Sequence, residues 1–112
     1  MSKKNDLEIS AEMLPELADF FKLLGEPVRL RLLASLCHEG GGSVNELTER
    51  LGLCQSVVSR HMNMLHEGGL VDKKQEGNRS LYSMPDDTMC RLCRIAAEKV
   101  RAKATQLSRL ID

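Results

Sequence analysis

Tryptophan is absent from this chain, and only two Phe and one Tyr supply aromatic bulk. That excludes a core built on large rings and leaves the task to Leu, Val, Met and Ala. No run of about 18 apolar residues occurs, so no membrane-spanning helix is expected. The opening stretch, MSKKNDLEIS, lacks the apolar centre of a secretory signal. The chain is therefore expected in the cytoplasm, with no membrane partner. Net charge is missing too: 16 Lys and Arg balance 16 Asp and Glu. Bulk charge makes no case for nucleic acid, so any DNA binding must rest on specific contacts. With 112 residues the chain makes one domain or one subunit of a small oligomer. A thin aliphatic core favours burying a further face against a second copy.

What charge there is lies unevenly. Asp6, Glu8, Glu12, Glu16, Asp19 and Glu26 make residues 1–26 acidic, whereas residues 91–109 are mostly basic. An acidic front and a basic tail can pair within a dimer. Residues 1–10 are polar and expected to be flexible; residues 11–112 are expected to form one DNA-binding and dimerisation domain. Ser10 can cap a helix over about residues 11–25, with Leu14, Leu17, Phe20, Phe21 and Leu24 on one face. Gly25 and Pro27 end it and start a second helix, to about Cys37, that buries Val28, Leu32, Leu33 and Leu36. Gly40, Gly41 and Gly42 break the chain.

Residues 43–65, SVNELTERLGLCQSVVSRHMNML, carry the most information. Ser43 and Glu46 form the S-x-x-E capping box of a third helix, with Val44, Leu47 and Leu51 inward and Gly52 as its left-handed cap. A fourth helix starts near Gln55 or Ser56. Its buried stripe is Val58, Met62 and Leu65; Ser56, Ser59, Arg60 and Asn63 take the opposite face. Gly68 and Gly69 stop it. A capped short helix, a glycine turn and a second helix with a small, polar outer face are the layout of a helix-turn-helix. Residues 70–75 and 79–84 then read as strands around Glu76, Gly77 and Asn78, a two-stranded wing. Pro85, Asp86 and Asp87 open a last helix, with the acids in its first turn. Along it Leu92, Ala96, Val100, Ala104, Leu107 and Ile111 form a stripe suited to a dimer contact.

The expected fold is thus mainly α: a dimeric winged helix-turn-helix of five helices plus a β-hairpin wing, with double-stranded operator DNA as its partner. Gln55 can make bidentate contacts to adenine and Arg60 to guanine. Ser56 and Ser59 are short enough to let the helix sit deep, and Asn63 shares their face. Lys73, Lys74 and Arg79 on the wing suit phosphates or the minor groove. His61 is expected to pack or meet the backbone, not to hold a metal.

These residues resemble the ArsR/SmtB family of bacterial repressors. Residues 21–33 (FKLLGEPVRLRLL) are similar to the family's approach to the second helix. Residues 44–47 (VNEL) and 56–62 (SVVSRHM) resemble its turn and recognition helix. Residues 65–70 (LHEGGL) and 73–82 (KKQEGNRSLY) resemble the approach to the wing and the wing itself. The likeness covers about residues 17–84. It implies a homodimer on a near-palindromic operator, with repression lifted by a small inducer, often a thiophilic metal or metalloid. Two departures matter. The third helix has no Cys-x-Cys, which arsenite- and cadmium-sensing members carry there. The only His residues are His38, His61 and His66, so the Asp and His set of the zinc sensors' last helix is absent.

Inducer identity therefore cannot be copied from those members, and the four cysteines are either sensor groups or small buried core residues. In a reducing compartment these read as free thiols, metal ligands or redox sensors, not as a disulfide framework. Cys90 and Cys93 share a face of the last helix, and two thiolates so spaced can chelate one soft ion. Cys37 is the first candidate for a third thiolate and Cys54, at a helix N-terminus that favours the thiolate, the second. The leading expectation is trivalent arsenic, as arsenite or a methylated arsenical, or another soft metal ion, bound by Cys90, Cys93 and Cys37, with no obligatory cofactor. A second is a redox or persulfide switch joining Cys37 to a last-helix cysteine. A small thiol-dependent enzyme is a distant third, since no His or acid is visibly coupled to a cysteine and there is no phosphate-binding loop. Catalysis is not expected.

Overall fold

The computed structural model describes residues 8–111, so most of the segment expected to be flexible, residues 1–10, lies outside it. The elements run α1 Met13–Leu24, α2 Pro27–Glu39, β1 Gly42–Ser43, α3 Val44–Leu51, α4 Gln55–Glu67, β2 Asp72–Glu76, β3 Arg79–Ser83 and α5 Thr88–Ile111. No helix among the described residues is long and apolar enough to cross a membrane.

Local chemistry sets most boundaries. Pro27 opens α2, whose N-cap is Glu26: its carboxylate accepts from the Arg29 backbone N–H at 2.9 Å. At α3 the capping box is complete, with Glu46 N–H donating to Ser43 Oγ at 3.1 Å and Ser43 N–H donating to Glu46 Oε1 at 2.8 Å. Gly52 closes α3 at φ 64°, a left-handed conformation that costs any side chain with a Cβ. The expected cap at Ser10 does not form through its side chain. Helix α1 starts later, at Met13, after a turn in which Met13 N–H donates to the Ser10 carbonyl. The acids before α5 also sit one step early. Asp86 accepts from Thr88 N–H at 2.9 Å, so Asp86 and Asp87 precede the first turn, not occupy it.

The wing is wider than a hairpin. β2 and β3 pair antiparallel, from Asp72 opposite Ser83 to Glu76 opposite Arg79, and β1 adds a third strand through Gly42–Tyr82 and Ser43–Leu81. A Cβ at Gly41 would lie 2.5 Å from the Tyr82 carbonyl oxygen, so glycine there permits the approach. The sheet anchors the wing to the start of α3.

The core lies where α2, α3, α4 and the sheet meet. Leu32, Leu47, Val58, Met62 and Leu65 are fully buried, with Leu33, Leu36, Leu70, Val71, Tyr82 and Met89 around them. Each such side chain contributes about 1.5–3 kcal/mol by leaving water. The inward stripes expected for α2 and α4 are in place. Helix α1 differs: of its expected stripe only Leu24 is buried, whereas Leu14 and Phe21 stay exposed. In α5 Leu92 packs on the core, but Val100, Leu107 and Ile111 face outward. Two apolar faces of the single chain are therefore uncovered.

Candidate DNA interface and thiol cluster

The turn between α3 and α4 presents the N-terminus of α4 at the surface. Gln55, Ser56 and Arg60 are exposed and Ser59 is half-buried; Ser56 and Arg60 project opposite the buried stripe of α4, and Gln55 stands at its first position. Gln55 and Ser59 share a hollow with Arg79 of β3 and with the first turn of α3. The hollow thus joins recognition-helix and wing residues that are twenty positions apart in the chain. Arg79 is held at 3.6 Å from Glu46 across it. The Ser43 backbone N–H, followed by the nearby Arg79 charge, holds the Glu46 carboxyl below its ordinary range.

Asn63 faces the wing. Its Oδ1 accepts from Tyr82 Oη at 3.0 Å and from Lys73 Nζ at 3.4 Å, and Lys73 lies 5.8 Å from the centre of the Tyr82 ring. Lys74 pairs with Glu76 at 3.5 Å on the exposed strand. Tyr82 was no site candidate in the sequence, yet its buried ring and hydroxyl fix Asn63 to the wing. The signal available was a lone tyrosine on a strand next to a helix-turn-helix. His61 is buried and lies 3.2 Å from Arg29 Nη1 through Nδ1. Arginine can only donate, so Nδ1 accepts and the proton sits on Nε2. His61 thus packs as expected, but its polar partner is a side chain, not backbone.

The thiols divide into two places. Cys37 near the end of α2 and Cys90 in the first turn of α5 form a disulfide, with Cα atoms 5.9 Å apart. Cys93 is a free, half-buried thiol that lines one pocket between α2 and α5 with Cys37 and Cys90, and burial pushes its pKa up. Cys54 stands apart as the exposed N-cap of α4. A hydrogen bond with the Ser56 hydroxyl, then the Ser56 and Val57 backbone N–H groups, lower its pKa and favour the thiolate. Among the described residues no three or more His, Cys, Asp or Glu side chains are placed to hold a metal ion, and the Cys37–Cys90 bond uses two of the three clustered sulfurs.

Comparison with known proteins points the same way as this geometry. A helix-turn-helix domain family matches residues 24–74. The HTH-type transcriptional regulator YgaV of Escherichia coli K12 is 33% identical over 80% of this chain and 87% of its own length. The arsenical resistance operon repressor of Bacillus subtilis 168 is 32% identical over 71% of this chain and 76% of its own. Among solved structures, the homodimeric winged helix-turn-helix DNA-binding domain of Mb0332 from Mycobacterium bovis, a possible ArsR-family regulator, superposes with a TM-score of 0.69. It is 26% identical and covers 93% of this chain and 94% of that one.

Proposed function

The chain belongs to the ArsR/SmtB family of winged helix-turn-helix transcriptional repressors, and from that membership we propose a homodimer that releases its operator when Cys37 and Cys90 react. The DNA-binding half rests on the exposed polar face of α4, with Gln55, Ser56, Ser59, Arg60 and Asn63, and on Lys73, Lys74 and Arg79 of the wing. The N-terminal turns of α4 reach base edges while the wing cations hold phosphates.

The observation that carries the switch is the joining of Cys37 to Cys90 across α2 and α5. α2 packs on α4, and α5 carries the uncovered apolar stripe suited to a second copy. A bond between them couples the dimer contact to the recognition helix. A hydroperoxide or a polysulfide supplies the oxidation. Two thiols lose two electrons and two protons, a sulfur–sulfur bond forms, and the O–O or S–S bond of the oxidant breaks. The products are an alcohol and water, or hydrogen sulfide and a shorter polysulfide. Coupling of about 1–3 kcal/mol, roughly 5- to 150-fold in DNA affinity, is typical of such linkage.

A second reading is favoured by Cys93, which lines the same pocket. With the bond reduced, Cys37, Cys90 and Cys93 offer three thiols to trivalent arsenic. Arsenous acid would exchange three hydroxyls for three thiolates and leave three waters. Fluorescence anisotropy of the reduced protein on the DNA upstream of its own gene separates the readings. Release by polysulfide or hydroperoxide that is lost in Cys37→Ser and Cys90→Ser, but kept in Cys93→Ser, is the expected result. Release by arsenite that all three substitutions abolish would put the metalloid first. Indifference to every reagent would sink both.

A further inference from the structure

The pocket beside the disulfide has a wall chemistry of its own. It is a cleft of about 500 Å³ between α2 and α5. That is within the size range of small-molecule sites and far larger than a peroxide or an arsenite needs. Leu30 and Ala34 of α2 and Ala97 of α5 give it an apolar floor. His38, Arg94 and Arg101 add the polar groups, and no Asp or Glu lines it. Neither Arg94 nor Arg101 has a hydrogen-bond or ion-pair partner among the described residues. Arg29, Arg31 and Arg50 tie backbone carbonyls, and Arg79 and Arg91 face carboxylates; Arg60 and Arg109 share the unpartnered state of Arg94 and Arg101 but line no part of this cleft. Helical spacing lines up Cys90, Arg94, Ala97 and Arg101 on one face of α5. One turn, about 5–6 Å, separates Cys90 from Arg94.

Resting on the thiol switch proposed above, we propose that this cleft is a binding site for an organic disulfide bearing carboxylates, and that Arg94 and Arg101 select it by charge. The organic body lies on the apolar floor. A carboxylate meets Arg94 or, on a longer arm, Arg101, which brings the reagent's sulfur to the cysteines. The steps balance without another reactant. For a disulfide, the Cys90 thiolate attacks one sulfur, forming a mixed disulfide and expelling one thiolate. The Cys37 thiolate then attacks Cys90 Sγ, and the second thiolate leaves. Two protein thiols are oxidised, and one small disulfide is reduced to two thiols.

Three reagents with the same reacting bond and different charge test this: 3,3′-dithiodipropionate (anionic), 2-hydroxyethyl disulfide (neutral) and cystamine (cationic). Each is added to the reduced full-length protein at low salt. Formation of the Cys37–Cys90 bond is followed by alkylation and mass spectrometry, with modification of Cys54 in the same samples as the reference. The expected order is anion, neutral, cation, spanning about tenfold or more, as opposite unit charges at such separations allow. In Arg94→Gln/Arg101→Gln the span at Cys90 shrinks to about twofold, whereas the order at Cys54 does not change. Added salt narrows the wild-type span. Equal rates for the three reagents, or a span untouched by the double substitution, would overturn the charge-selecting site while leaving the switch intact. A protein in which no reagent joins Cys37 to Cys90 would overturn the switch, and the site with it.

Discussion

Leu47 is the one side chain of α3 that is fully buried, set among the core leucines of α2 and α4. Leu47→Ala leaves a cavity under the helix-turn-helix and is expected to cost about 2–5 kcal/mol in chemical denaturation. Glu46 one residue earlier is a surface group with a pH signature. Its carboxyl is held below the ordinary value of 4.5, first by the Ser43 backbone N–H. A depressed carboxyl contributes stability that is present above its unfolded value and lost as pH falls through its folded one. The advantage of wild type over Glu46→Gln should therefore be full at neutral pH and shrink below about pH 4.5. Thermal melts of the two proteins across pH 7 to 3 would show this, and a constant gap would contradict it. Asn63 makes a finer point. Lys73 can only donate, so the Asn63 oxygen must face the wing, and the amide N–H groups turn away from Lys73. Lone residues of this kind were named as site candidates from the sequence. Their hydrogen-bond partners were not, because Tyr82 and Glu46 reach them only through folding.

At the scale of elements, the legible parts were those with their own punctuation. Helix α3 carries both a capping box and a glycine stop, and its bounds lie where Ser43 and Gly52 put them. The turn between β2 and β3 is legible for a similar reason. Gly77 at φ 60° is followed by Asn78 with negative φ, the sign pattern of a II′ turn. Strand β1 was not legible. Two residues carry no alternation, and the strand exists only because Gly41 lets the chain come against Tyr82. The start of α1 is not legible at Ser10, because a good capping residue caps only where the backbone turns at it, and here the helix begins at Met13. The stripes of α1 and α5 were read correctly as apolar, but the sequence does not say what they cover. In the single chain Val100 is 67% exposed. Val100→Glu should therefore leave the melting of the isolated subunit almost unchanged. It should shift sedimentation from dimer towards monomer and weaken operator binding. Unchanged sedimentation would remove α5 as the contact.

For the whole molecule, the decisive feature is a link between distant parts of the chain. Cys37 and Cys90 are 53 residues apart. Closing a loop of that size restricts the unfolded chain, by up to roughly 4 kcal/mol in the chain-entropy treatment. The oxidised protein is expected to resist urea better than the reduced one, and Cys37→Ser should show no such difference. Equal midpoints for oxidised and reduced wild type would mean that the bond does not form in solution. The sequence offered Cys37 or Cys54 as a third thiolate beside Cys90 and Cys93, and Cys37 with either last-helix cysteine as a redox pair. Nothing in the spacing decides between Cys37 and Cys54; the packing of α2 against α5 does. The same packing makes the cleft of Arg94 and Arg101, which no linear pattern displays.

A bound ion or metabolite leaves when its concentration falls, and the response ends with it. A sulfur–sulfur bond between α2 and α5 outlasts the reagent that made it. The released state would persist until a reductant broke the bond, so its duration would be timed by the reducing capacity of the cell. A brief exposure would leave a memory in the protein, and genes under its control would stay on after the stimulus had gone.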